Sequence, residues 1–370
     1  MPRISDENIK TIMGFFGFSG EPARISPLGN GHINDTFRVD YEKAGARESF
    51  VLQRVNTAVF AEPAKLMENM VNVTDHIRRK VIAAGGNPRR EVLRALPGRN
   101  GAFYYEDPEL GFWRVTEFIE GTFSREKPEG AEDFYETGRA FGHFQSQLSD
   151  YPAETLFETI PDFHNTKKRF EAFLKTIERN PLGRTKDCAE EIEFILERKE
   201  LAEYAGRCRE SGGLPLRVTH NDTKINNLMI DEKTGLPVCV VDLDTVMPGL
   251  AMYDFGDCIR TGASTAAEDE RDLSRVGCDL NLFEAFMKGF ITGCDGRLTD
   301  RELETLPMGA LILTYEQALR FLADYIDGDI YFKTAYPEHN LVRARTQIRL
   351  VTDMEAKWEK IQRLAAEYIK

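Results

Sequence analysis

Up to about residue 129 the apolar positions read mainly as short strands; beyond it they recur mainly with helical spacing. After an opening helix, the first part reads as strands. RISPLGNGHINDTFRVD (24–40) is a strand, a glycine turn and a second strand. SFVLQRVN (49–56) is another, rich in apolar and β-branched residues. AKLMENMVNVTDHIRRKVIAAG (64–85) has helical spacing and stops at glycines. FWRVTEFIEG (112–121) reads as a strand leading into a crossing segment. The later pattern predicts helices over 131–149, 166–179, 188–210, 250–261, 281–293, 306–326 and 340–368. Two short strands interrupt them, around Asn227 and Asp242. Strands early and helices late make an α+β order with a boundary near Glu117–Gly121. The expected domains are residues 1–116, a connecting segment 117–121, and residues 122–370.

The chain has 370 residues, long enough for one bilobal unit or two domains. It is 42% hydrophobic and 29% charged, ordinary for a globular protein. No stretch approaches the roughly 18 apolar residues of a membrane span. The opening MPRISDENIK carries acids where a secretory signal would be basic, so a cytoplasmic protein is expected. The net charge of −13 argues against a nucleic-acid or anionic-membrane partner. Six cysteines without a CxxC read as reduced, buried thiols, and six histidines without an HExxH give no zinc pattern. There is no internal repeat. Nothing marks an oligomer interface, because apolar helix faces read alike in a core and between subunits.

The chemistry gathers in RVTHNDTKINNLMID (217–231) and VVDLDT (240–245). Taken singly, Asp222, Asn227 or the DLD triplet reads as well as a turn or cap. Jointly they resemble equipment for phosphoryl transfer, which needs positioning, a proton acceptor and cations on phosphate oxygens. Asp222 can accept the proton, Asn227 offers a hard oxygen for magnesium, and Lys224 can reach the transferring phosphate. His220 is expected to fix the loop. Val238 to Val241 reads as a buried strand ended by Asp242, a carboxylate that would be costly there unless paired or on a metal. Asp244, two residues on, is either a supporting partner or a sugar-side group. The GNGHIN turn could cover phosphates with N–H groups, a weak signal alone. No GxxxxGK[ST] is present, which excludes a P-loop NTPase.

These residues resemble the aminoglycoside phosphotransferase family, relatives of protein kinases with small-molecule acceptors. Within it the chain is similar to the N-acetylhexosamine 1-kinases. That likeness is carried by GNGHINDTF, VLQRVNTAVF, RVTHNDTKINNLMID, VVDLDTVMPG, YDFGDCIRTGAST, RFLADYIDGDIYF and YPEHNLVRARTQIRLV. The resemblance implies an α+β, bilobal protein-kinase-like fold using ATP and Mg2+. Asp222 would take the proton from an anomeric hydroxyl, and Asn227 and Asp242 would hold magnesium. Gly29, Asn30 and Gly31 would cover the phosphates. The 117–121 hinge, with Glu117 and Ile119, would bind adenine through its backbone. The product would be the 1-phosphate of N-acetylglucosamine or N-acetylgalactosamine. His32, Asp244, Arg320, Asp324 and Tyr331 are the sugar-side candidates.

The chain departs from kinases at the third strand, where Gln53 replaces the usual lysine and Arg54 follows. Either Gln53 binds phosphate as a neutral donor or Arg54 substitutes. Glu68 could pair with Arg54 or face solvent. Other acceptors remain in view: an aminoglycoside, choline or homoserine. No dense acidic cluster in the C-terminal helices favours a cationic one. A nucleotide-binding pseudokinase is the reading from a different class, and the intact Asp222, Asn227 and Asp242 oppose it.

Overall fold

The structure is a computed structural model that describes residues 4–29, 33–43 and 45–369. The chain begins α1 (Asp6–Phe15), β1 (Arg24–Pro27), β2 (Asp35–Lys43), β3 (Ala46–Val55), α2 (Pro63–Ala83), β4 (Tyr105–Asp107), β5 (Gly111–Glu117) and β6 (Thr122–Phe123). It continues with α3 (Ala131–Gln147), α4 (Thr166–Arg179), α5 (Ala189–Glu197), α6 (Lys199–Glu210), β7 (Arg217–Thr219), β8 (Leu228–Asp231), β9 (Pro237–Val240) and β10 (Met247–Gly249). The last elements are α7 (Ala251–Gly262), α8 (Leu280–Gly293), α9 (Asp300–Asp327), α10 (His339–Ala356) and α11 (Trp358–Ala366).

Two compact units result. The first comprises residues 1–123, 154–161 and 229–247. Its antiparallel sheet has the order β1-β2-β3-β5-β4. Strand alternation gives that sheet two unlike faces. On one, Val39, Tyr41, Phe50, Leu52, Trp113 and Val115 meet Ile9, Ile12 and Met13 of α1 in a dry core. The other carries the polar register row Thr36, Gln53, Arg114. The two later segments are tied in through Asn69 of α2. Its Nδ2 donates to the carbonyls of Phe157 (2.8 Å) and Val246 (3.1 Å).

The second unit comprises residues 124–153, 162–228 and 248–370 and is mainly helical. Its axis is α9, of which 20 residues are buried. A capping box of Thr299 and Glu302 starts this helix at Asp300, six residues before the expected 306. The expected helix 188–210 is two, broken at Arg198, whose guanidinium lies over Phe194 and pairs with Glu355 at 2.9 Å. The expected helix 340–368 is likewise broken at Lys357, which donates to the Cys278 carbonyl at 2.8 Å. Tertiary partners overrode local helical propensity at both points. The expected buried strand before Asp242 is corrected as well. β9 is the edge of the sheet β6-β8-β9, and of its four residues only Cys239 is buried.

Candidate active site

In the helical unit the loop after β7 is built around a buried carboxylate. Asp254, 1% exposed in the first turn of α7, accepts the N–H groups of His220 (3.0 Å) and Asn221 (2.7 Å) and the Gln145 amide. Burial pushes its carboxyl above the usual range, against the pull of those donors. Asn221 takes the left-handed conformation, φ 64°, and so turns the chain sharply into Asp222. Its side chain is locked onto Thr219. His220 is buried between Phe141 and Phe144, and its Nδ1 accepts the Asp222 N–H at 3.3 Å. It fixes the loop, as expected.

Asp222, Lys224 and Asn227 come together on this loop. Lys224 Nζ lies 3.1 Å from Asp222 Oδ1. A 3-10 turn over Ile225–Asn227 brings Asn227 Nδ2 to the Asp222 carbonyl at 2.7 Å and to its Oδ2 at 3.4 Å. Burial would raise the Asp222 carboxyl, but the Lys224 ammonium, with Arg260 further off, holds it below the usual range. Asp222 in turn raises Lys224. With its Nδ2 committed, Asn227 has an Oδ1 that meets no donor among the described residues. That oxygen suits a hard cation.

On the polar sheet face of the first unit, Gln53 does not stand alone. It donates to Thr36 Oγ1 at 3.2 Å and accepts Arg114 Nε at 3.0 Å. Arg114 and Asp244 form a buried ion pair, 1% and 3% exposed. The second Asp244 oxygen accepts Asn34 Nδ2 at 2.7 Å, and its backbone carbonyl accepts Thr159 Oγ1 at 2.8 Å. Each Asp244 oxygen is thus met by a donor of the same unit. Arg54 projects from the opposite face, paired with Asp35 over the Trp113 ring. It is therefore away from Gln53, and Glu68 is exposed to solvent.

Asp242 is exposed and left-handed, φ 59°, so the desolvation argument for a metal there does not hold. Glu117 pairs with Arg94 at 2.8 Å and donates its N–H to the Arg94 carbonyl. Ile119 is buried; its carbonyl accepts Thr122 Oγ1, while its N–H donates to no partner among the described residues. Gly29 has a positive φ of 72° and is exposed; Asn30, Gly31 and His32 lie outside the described residues. Among the described residues no group of three or more His, Cys, Asp or Glu forms a metal cluster.

The sugar-side candidates Arg320 and Asp324 stand four apart on α9 but do not pair with each other among the described residues. Asp324 accepts the backbone N–H groups of Ile330 (2.9 Å), Tyr331 (2.8 Å) and Phe332 (3.0 Å), and Asn340 Nδ2 at 2.9 Å. The turn so formed holds Tyr331 out at 60% exposure, where a packed aromatic would be the ordinary expectation. The Arg320 guanidinium lies 5.9 Å from that ring and 6.0 Å from Phe163. The Phe163 ring packs on His164 at 4.6 Å, tilted by 53°, and His164 Nε2 meets the Asn221 carbonyl at 2.9 Å. Arg320 and Tyr331 thus connect to the Asp222 loop.

Arg114, Asp254 and His164 were missed from the sequence. An arginine inside the apolar strand FWRVTE and an acid inside the buried helix AMYDFGD were visible signals, since neither is buried unpaired. His164 carried none.

A family model described as the phosphotransferase enzyme family matches residues 24–279. Among solved structures, an aminoglycoside phosphotransferase from Alicyclobacillus acidocaldarius is similar, with TM-score 0.55 and 14% identity over 99% of this chain and 96% of that one. A choline/ethanolamine kinase family protein from Mesorhizobium loti gives 0.52 and 18%, covering 98% of each chain. A choline kinase from Cryptosporidium parvum gives 0.56 and 13%, over 94% and 93%. These likenesses establish the kinase-like α+β fold.

Proposed function

The chain belongs to the phosphotransferase enzyme family, and on that premise we propose that it moves the γ-phosphoryl group of ATP to the anomeric hydroxyl of an N-acetylhexosamine. Phosphoryl transfer to a small-molecule alcohol is the activity its family supports. The observation that carries the sugar reading is the exposed Tyr331 beside Arg320, connected through Phe163 and His164 to the Asp222 loop. A sugar ring has an apolar face for an aromatic platform and hydroxyls for a guanidinium. Arg169 also lies over Phe163, so two fixed positive charges flank this ring and oppose a cationic acceptor such as choline or an aminoglycoside.

In this reading Asp222 takes the hydroxyl proton as the sugar oxygen bonds to phosphorus and the bond to the leaving ADP breaks. A base of low pKa suffices, because a loose transition state calls for deprotonation late. Lys224 keeps Asp222 ionised and offers positive charge to the transferred group. Asn227, through Oδ1, and Asp242 would hold magnesium, which when bound neutralises charge on phosphate oxygens. The Ile119 N–H is the donor for the nucleobase. Gln53, held by Arg114, is the neutral strand donor in place of lysine. A cytoplasmic location, where ATP is at hand, completes the reading.

The test is a phosphorus NMR assay with MgATP and, separately, N-acetylglucosamine, N-acetylgalactosamine, galactose, choline and kanamycin. A 1-phosphate of an N-acetylhexosamine is expected. Transfer only to choline or kanamycin would overturn the sugar assignment while keeping the phosphotransferase.

A further inference from the structure

The loop that carries Asp222 has a brace from outside its own sequence. His164 lies just before α4, and its side chain is 7% exposed. Its Nε2 is 2.9 Å from the Asn221 carbonyl and its Nδ1 is 3.0 Å from Glu316 Oε1 on α9. The Asn221 carbonyl belongs to the peptide that joins Asn221 to Asp222, so whatever holds it sets the plane from which the Asp222 side chain departs. Asp254 holds the other side of Asn221 through its N–H, and the residue sits at a positive φ that few non-glycine residues adopt. A strained residue gripped from both sides is over-determined, as a positioned base requires.

Hydrogen-bond accounting then constrains His164. A backbone carbonyl only accepts, and so does an ionised carboxylate. Glu316 is set for the ionised form by donors other than His164: Arg169 Nε lies 3.4 Å from its Oε1, and the Thr166 hydroxyl donates to its Oε2 at 2.6 Å. Both ring nitrogens must therefore carry hydrogen for both contacts to be made. Glu316 faces the ring from α9, Arg169 of α4 lies 3.4 Å from the same Glu316 oxygen, and the Arg320 guanidinium of α9 lies 6.0 Å from the Phe163 ring that neighbours His164. The Tyr253 ring of α7 covers it at 5.1 Å.

We propose that His164 is a positioning residue for the transfer, holding the Asn221–Asp222 peptide as a doubly protonated imidazole charge-balanced by Glu316. This rests on the reading of Asp222 as the base.

Two readouts test it. In 15N-histidine-labelled full-length protein at pH 7, the two His164 ring nitrogens, assigned by their loss in His164→Gln, are expected to be both of the protonated type. One bare nitrogen overturns the proposal, and this readout uses no acceptor. In kinetics, His164→Phe is expected to lower kcat at least about tenfold with KM for MgATP within about twofold. Thr166→Val removes a donor from Glu316 but leaves the His164–Asn221 link, and kcat is expected to stay near wild type. Equal losses in the two variants, or wild-type kcat in His164→Phe, overturn the positioning role. Should His164→Phe fail to fold, the double variant His164→Phe/Glu316→Leu replaces both polar partners by apolar groups. Wild-type kcat in that folded protein overturns the proposal too. A wrong assignment of the reaction shows earlier, as wild-type protein that phosphorylates nothing in the acceptor panel.

Discussion

Asp222 owes its chemistry to Lys224 and Asn227 on its own loop, and its place to Asp254. On the proposed role of Asp222 as the base, Asp222→Asn keeps the size and removes the proton acceptor, so kcat is expected to fall by roughly 10²–10⁴-fold with ATP affinity retained, as read by calorimetry. Arg114 is the opposite kind of residue, buried against Asp244. Arg114→Met leaves that carboxylate uncompensated and is expected to cost about 3–5 kcal/mol in urea unfolding, largely regained in Arg114→Met/Asp244→Leu. Glu316 contributes to acid stability. Its carboxyl lies near 2 in the folded protein against 4.5 ordinarily. Its contribution is therefore complete above pH 4.5 and lost as pH falls toward 2. Glu316→Gln is expected to flatten the pH dependence of the unfolding midpoint in that window. Asp222 and Asn227 were legible because their spacing lies within one short loop. Arg114 showed only as an arginine within an apolar strand and His164 not at all, since their partners stand 130 and 57 residues away, beyond any periodicity.

Helix existence was legible from apolar spacing, and helix ends less so. The break at Arg198 depends on Glu355, and the break at Lys357 on the Cys278 carbonyl, neither of which a local window contains. The start of α9 was available in the sequence as Thr299 followed by Glu302 and was passed over for the apolar run. Thr299→Ala is expected to lower stability by about 1 kcal/mol. The contact of α3 with α8 is set by glycines on both helices. A Cβ at Gly138 or Gly142 would strike the carbonyls of Phe286 and Phe290, and one at Gly289 or Gly293 those of Tyr135 and Arg139. Gly289→Ala is therefore expected to destabilise by about 1–3 kcal/mol through overpacking, measured by urea unfolding.

Across the whole chain, the six cysteines behave as the apolar runs around them suggested. All are free and buried, and burial pushes Cys188 up to about 11 and Cys239 and Cys278 up to about 12. A thiol reagent is expected to leave the folded protein unlabelled and to count six groups in denaturant. No helix among the described residues is long and apolar enough to cross a membrane. The α+β order was legible because strand and helix periods differ, and the kinase-like architecture because the loop motifs named it. The composition of each unit from separated segments was not, since it depends on contacts such as Asn69 with Phe157. The turn after α9 has an evolutionary consequence. Asp324 grips residues 330–332 through main-chain N–H groups, which every residue but proline possesses. Ile330 and Tyr331 can be exchanged in a lineage without disturbing the frame that displays them, so under the proposed acceptor role of Tyr331 new tastes in acceptor are open to single mutations there while the Asp222 loop is inherited intact.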